Sequence, residues 1–287
     1  MAKPPLVVSY GVGVDSTALL VGLRRLGRRP DMIVFADTGS ERPETYAYLA
    51  TMQQYLARVG FPPVVVVRAF HSEGLYGTLY DKCIVNRTLP SVAFNQHSCS
   101  IDFKAEPITA QVNRMFGRQT AVIRAIGYDN GDADSARVTR WEKAAKHDDR
   151  LKRPDEFWYP LREWEWDRAR CMAEIAAERL PVPLKSSCFF CSNMRPSEVR
   201  SLVADHPVLA DMIIAMETNA APYNIKTEGL WRHKRVTDGK PGSMGDFIHM
   251  LRSGQDVSRI VDVLPKKTHT ARLAGAGDDV DDLGCLL

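Results

Sequence analysis

Four short apolar runs, Leu6 to Ser9, Asp31 to Ala36, Val64 to Val67 and Thr120 to Gly127, constrain the fold of this chain more than any other feature. Stretches of helical spacing separate them: Thr17 to about Leu26, stopped at Gly27; a segment opened by Pro43 with Tyr46, Leu49, Met52 and Leu56 in step; and Pro107 to Phe116. Continuous apolar runs suit strands covered on both faces, and their alternation with helices predicts a parallel sheet with crossover helices. The expected fold class is therefore α/β, a doubly wound, mostly parallel sheet. Asp129 to Asp134 reads as a polar loop, and Glu163 to Arg179 as a helix with Trp166, Ala169, Met172, Ala173 and Ala176 on one side. Beyond Pro181 the pattern is helical and irregular. The expected organisation is a nucleotide-binding domain over 1–160, a helical, cysteine-containing appendage over 161–273, and a Gly- and Asp-rich tail over 274–287.

With 287 residues, 45% hydrophobic and 25% charged, the chain can bury a full core. Its net charge of +3 is too small to mark a nucleic-acid binder, though local basic patches remain. The start lacks the apolar region of a signal peptide, no stretch approaches the ~20 apolar residues of a membrane span, and Cys285-Leu286-Leu287 is one residue short of a prenylation box. A cytoplasmic protein with no membrane partner is the expectation. The oligomeric state is not legible. In a reducing compartment six cysteines point to metal or cluster ligation rather than disulfides.

The first strand runs into Ser9-Tyr10-Gly11-Val12-Gly13-Val14-Asp15-Ser16-Thr17. Glycines let backbone N–H groups approach phosphate oxygens, the helix start adds unpaired donors, and Ser16 and Thr17 add hydroxyls. Asp15 would repel phosphate unless Mg²⁺ intervenes or the aspartate caps the helix. No Gly-Lys-Ser/Thr occurs here, and Ser16 stands where a Rossmann fingerprint has its third glycine. The alternative is an ordinary β-to-α turn with a Ser/Thr cap. After the second strand, Asp37 is placed to bond a ribose hydroxyl or, alternatively, to form an Asx turn.

These segments, with Ala36-Asp37-Thr38-Gly39 and Pro43-Glu44-Thr45-Tyr46, resemble the pyrophosphatase-loop branch of the adenine-nucleotide α-hydrolase superfamily, and within it the phosphoadenylyl-sulfate reductase-like family, over residues 5–195. The resemblance implies that ATP is held by Ser9, Tyr10, Gly11, Gly13, Asp15, Ser16, Thr17, Asp37, Thr38 and Gly127. Most members read Ser-Gly-Gly-Lys-Asp-Ser in the loop, which puts Val14 where a phosphate-binding lysine usually stands.

Cys188-Phe189-Phe190-Cys191 is a C-x-x-C that needs two more ligands for a complete site, and Cys99 and Cys171 are the best candidates. The segment from Cys99 to Pro107 resembles the part of adenylyl-sulfate reductases that carries a Cys-Cys pair and Lys-x-x-Pro, which implies a [4Fe–4S] cluster. Cys99 and Lys104 match, while Ser100 replaces the second cysteine. A zinc site on the same thiolates, a redox C-x-x-C and separate buried thiols are the alternatives.

By the same resemblance the reaction is adenylation of an acceptor with release of pyrophosphate, followed by displacement of AMP by sulfur. Asp15, Lys104 and Arg137 are the candidate catalytic residues. Related enzymes act in DNA phosphorothioation and tRNA thiolation, so nucleic acid and a sulfur donor such as a cysteine desulfurase are the partners implied. Arg24, Arg25, Arg28 and Arg29, and Arg232, His233, Lys234 and Arg235 beside Trp231, are the basic clusters such a substrate would meet. Each is equally readable as dipole partners or a solvated face. Sulfonucleotide reduction, which would call on Cys285, and a non-catalytic nucleotide-binding protein with structural zinc are the competing readings.

Overall fold

The computed structural model describes residues 3–69, 74, 76–224 and 226–263. Cys285 and the expected tail lie outside the described residues. The described chain divides into two compact units, one comprising residues up to 79 with 97–188, the other 80–96 with 189 onward.

The first unit is built on a five-stranded, all-parallel sheet in the order β3-β2-β1-β4-β5, with β1 Leu6–Ser9, β2 Met32–Ala36, β3 Val64–Val67, β4 Ile123–Ile126 and β5 Glu156–Trp158. The α/β, doubly wound expectation holds. Strand alternation divides the core between two faces. Leu6, Val8, Ile33, Phe35 and Ala125 pack against α1 (Val14–Arg25), α2 (Pro43–Arg58) and α8 (Arg168–Ala177). Val7, Met32, Val34 and Ala36 pack on the other face with Ile108 and Val112 of α5 (Glu106–Phe116). The chain enters α5 through α4 (Ser98–Ser100) and a π-helical turn, Ile101–Ala105. Because the winding direction changes between β1 and β4, the carboxyl ends of these two strands form the switch point where ligands settle in such sheets.

Three elements depart from the sequence expectation. The Asp129 to Asp134 loop gives way to helix α6, Asp132–His147, and the three-residue β5 has no counterpart in the expected pattern. The helix expected over 163–179 is shorter, α8 from Arg168 to Ala177, preceded by the four-residue α7 (Pro160–Glu163), and the buried residues of α8 are Cys171, Glu174 and Ile175. Met172, expected on the packed side, is 43% exposed.

The second unit contains most of α3 (Leu79–Val85), from Tyr80 onward, then α9 (Pro196–Asp205), α10 (Pro207–Ala220) and α11 (Met244–Arg252). Glu217 of α10 pins the loop before α11: its carboxylate accepts from Leu230 N (2.6 Å), Met244 N (3.0 Å), Gly245 N (2.6 Å) and Ser243 Oγ (2.7 Å). Gly229 and Gly245 leave room for it, since a Cβ on either would come within 2.8 Å of a Glu217 carboxylate oxygen. No helix among the described residues is long and apolar enough to cross a membrane.

Candidate functional site

The loop between β1 and α1 closes on Ser16. Its Oγ accepts from Gly11 N (3.2 Å) and Gly13 N (3.3 Å), so the amides expected to face phosphate converge on one hydroxyl. Val12 between them has φ +60°, a backbone region costly for a β-branched residue. Tyr10 and Thr17 are buried, their hydroxyls 3.2 Å apart, and burial pushes the Tyr10 phenol well above its ordinary range. Ser9 ends β1 in register with Ile126. The next residue, Gly127, lies against the first turn of α1: a Cβ there would fall 2.7 Å from Ser16 Cα and 2.8 Å from Ser16 N. A side chain at 127 would hit backbone, which is why the crossing needs glycine.

Asp15 stands in that same turn. Arg168 binds its Oδ2 at 2.7 Å, while Oδ1 is buried with no hydrogen-bond partner. Burial raises the Asp15 pKa, against the opposing pull of Arg168. Its carboxylate and those of Asp129 and Asp134 bring ligand oxygens within 4.8 Å of one another, the one such group of three among the described residues. Asp134 accepts from Asp129 N (2.8 Å) and Arg137 (2.6 Å), and burial pushes it up to about 6. Oxygen-only donors suit a hard divalent cation, and the orphan Oδ1 of Asp15 is the acceptor such an ion would satisfy. The sequence points to Asp15 and Arg137 but not to Asp134, because the start of α6 reads as loop.

At the end of β2, Asp37 is fully engaged. Its Oδ1 accepts from Gly39 N (2.8 Å) in an Asx turn and from Tyr46 OH (2.8 Å), and its Oδ2 from Arg68 Nε (2.9 Å). Thr38 begins a buried chain of contacts. Its Oγ1 lies 3.1 Å from Glu41 Oε1 and 3.3 Å from Cys188 Sγ, and Glu41 pairs with Lys104 Nζ at 3.5 Å. A bridge from Glu41 to Cys188 fixes the backbone beside it. Lys104 and Glu41 are 8% and 1% exposed, so this ion pair is desolvated and its partners are set. Glu41 is a residue that sequence reasoning misses; an acid next to a Pro-Glu-Thr helix start gives no signal of its own.

The thiols differ in setting. Cys99 and Cys188 are buried in the first unit and Cys191 is buried in the second. Cys171 belongs to the apolar core under α1, where burial, with Asp15 and Asp129 adding to it, raises its pKa. Around one zinc, sulfurs sit about 4 Å apart. Among the described residues, Cys99, Cys171 and Cys188 form no such group.

The basic clusters are largely spoken for. Arg24 and Arg25 pair with Glu178 and Glu174 of the α8 region, Arg28 lies 4.0 Å over the Trp158 ring, and Arg29 donates to Gly60 O. Trp231 is 6% exposed, donates to Met194 O and carries Lys240 Nζ 4.5 Å over its ring. The expectation of Trp231 as an open stacking platform is corrected: burying the indole N–H against a carbonyl turned the ring inward.

No family model and no curated protein matches the chain. Among solved structures, it is similar to the U34-tRNA thiolase NcsA from Methanococcus maripaludis with its [4Fe-4S] cluster, at TM-score 0.47 and 15% identity, over 78% of this chain and 72% of that one.

Proposed function

We propose that the chain is an ATP-using enzyme of the pyrophosphatase-loop type that adenylates an acceptor in preparation for sulfur transfer. The observation that carries this reading is the single turn where Gly11 and Gly13 amides, the Gly127 crossing and the orphan oxygen of Asp15 meet. A polyphosphate there would take the amides from Ser16, and Mg²⁺ would be held by Asp15, Asp129 and Asp134. Arg137 and Arg168, already paired with two of those acids, would neutralise charge as pyrophosphate departs. An acceptor oxygen forms its bond to the α-phosphorus. The bond from that phosphorus to the bridging oxygen breaks, and its electron pair leaves with pyrophosphate. A sulfur nucleophile then forms its bond to the acceptor atom that carries the adenylated oxygen, the bond from that atom to the oxygen breaks, and its electron pair leaves with AMP.

Cys99, Cys188 and Cys191, with Cys171 as the fourth candidate, are the thiolates that would hold a [4Fe–4S] cluster. Such a cluster would supply soft iron to carry the sulfur atom. Cys188 fits that part, since the Thr38 hydroxyl lies 3.3 Å from its Sγ, within reach to donate to a thiolate. Cys171 fits it poorly, because its surroundings oppose ionisation. Nucleic acid and a cysteine desulfurase are the proposed acceptor and donor.

The test is incubation of anaerobically purified protein with Mg²⁺, ATP labelled at the α-phosphate and oligonucleotide acceptors. AMP and pyrophosphate are expected; ADP alone, or no product with any acceptor, refutes the reading.

A further inference from the structure

A cleft adjoins the loop between β1 and α1. Val12, Arg42, Glu44, Thr45, Tyr48 and Lys185 line a cleft in the first unit at the N-terminal end of α2. Four of them come from the N-cap and first turns of that 16-residue helix, whose dipole favours negative charge there. Arg42 is 4% exposed, and its Nε has no hydrogen-bond partner. Its guanidinium meets Glu44, at 3.3 Å from NH2. A buried guanidinium with an unused N–H costs free energy unless an acceptor arrives. Arg42 and Lys185 bring two positive charges to the lining and Glu44 one negative charge. Gly11 and Gly13 turn their amides to Ser16 Oγ while Val12 lines the cleft, so different atoms of one loop serve the two places.

We propose that this cleft binds a phosphate group of the acceptor substrate, holding it beside the ATP-binding turn. The inference rests on the adenylation reading for its word acceptor, and on the cleft itself for the anion. Arginine's planar fork, a lysine and a helix N-terminus together match a tetrahedral phosphate with several acceptor oxygens. A carboxylate offers fewer.

The test is calorimetric titration of the full chain with inorganic phosphate, with and without a saturating non-hydrolysable ATP analogue. One phosphate should still bind in the presence of the analogue. Lys185→Ala should weaken that binding about tenfold, and Glu44→Gln should tighten it about threefold by removing the opposing charge. Arg42→Gln should abolish it, and because this variant risks misfolding the changes at Lys185 and Glu44 are the decisive ones. A mononucleotide that displaces phosphate identifies a monoester ligand, and a dinucleotide without terminal phosphate that does so identifies a diester. Phosphate binding lost entirely to the analogue, indifferent to both Lys185→Ala and Glu44→Gln, or displaced by neither nucleotide overturns the proposal. If the analogue fails to bind while phosphate still responds to the variants, the cleft stands and the ATP reading falls.

Discussion

Two helix starts in this molecule each carry a carboxylate, and they have been finished in opposite ways. At the start of α11, Glu217 receives four donors from backbone and Ser243, with both oxygens used. At the start of α1, Asp15 has one arginine on one oxygen and nothing on the other. A helix N-terminus is an anion site in both cases. The first holds an internal anion and is therefore structure. The second holds its own acid on the rim, hydroxyl-tethered amides beside it, and a strained Val12, the features on which the proposed ATP site rests.

Removing the internal anion should have the largest effect. Glu217→Ala leaves three backbone amides and a serine hydroxyl buried without acceptors, and should destabilise the second unit by about 4 kcal/mol or more. Urea denaturation followed by tryptophan fluorescence, with Trp231 in that unit, reads it. A loss under about 1 kcal/mol would mean that the contacts are replaceable, and the contrast with Asp15 would dissolve.

Next in size is Gly127→Ala. Its Cβ would meet the Ser16 backbone at under 3 Å, so the first turn of α1 must move rather than a flexible side chain. ATP binding should fall at least about a hundredfold, with a smaller cost in stability of roughly 2 kcal/mol. Equal binding in the variant would show that phosphate is not held at this crossing.

How much of the fold and site is legible in the sequence follows from what each residue reports. Strands β1 and β2 and the loop announce themselves because strands covered on both faces need continuous apolar runs, while β3 shows as four successive valines although Val66 is 46% exposed at the sheet edge. β5 does not, since Glu156-Phe157-Trp158 is three residues at the sheet edge and partly exposed. α6 is hidden by its polar composition, and with it Asp134, whose value depends on lying beside Asp15 and Asp129 in space. The Met172 face of α8 misleads because Cys171 and Glu174, the residues that are buried, look like a ligand and a surface charge. Burial of Trp231 is invisible for a related reason: flanking cations suggest a surface, and only the fold shows Lys240 lying over the ring.

Asp15→Asn should separate chemistry from folding. Because burial already disfavours the charged form, stability should change little or rise slightly, while Mg²⁺-dependent AMP formation falls about a hundredfold. The pH dependence of stability gives a parallel reading at Asp134. Its folded pKa, about 6, lies above the unfolded carboxylate value, so the folded state binds the proton more tightly. That contribution is fully present below about pH 4 and is lost as pH rises through about 6. Asp134→Asn should flatten the melting-temperature profile across that window in the absence of divalent cations, and an unchanged slope would assign the titration elsewhere.

The smallest effect tests the strain. Val12 is 1% exposed and belongs to the core cluster over the sheet, yet its φ of +60° is one that glycine adopts freely. Val12→Gly sets relief of about 1–3 kcal/mol of backbone strain against about 1.5–3 kcal/mol of lost side-chain burial. The two should nearly cancel. Val12→Ala keeps the unfavourable backbone and loses most of the burial, so it should be the less stable of the pair by about 1 kcal/mol, the reverse of the usual order of alanine and glycine. Thermal denaturation of the two variants side by side decides it. Alanine more stable than glycine at this position would mean that the loop relaxes out of the left-handed region once the valine is gone, and that the strain belongs to the side chain's packing rather than to the turn itself.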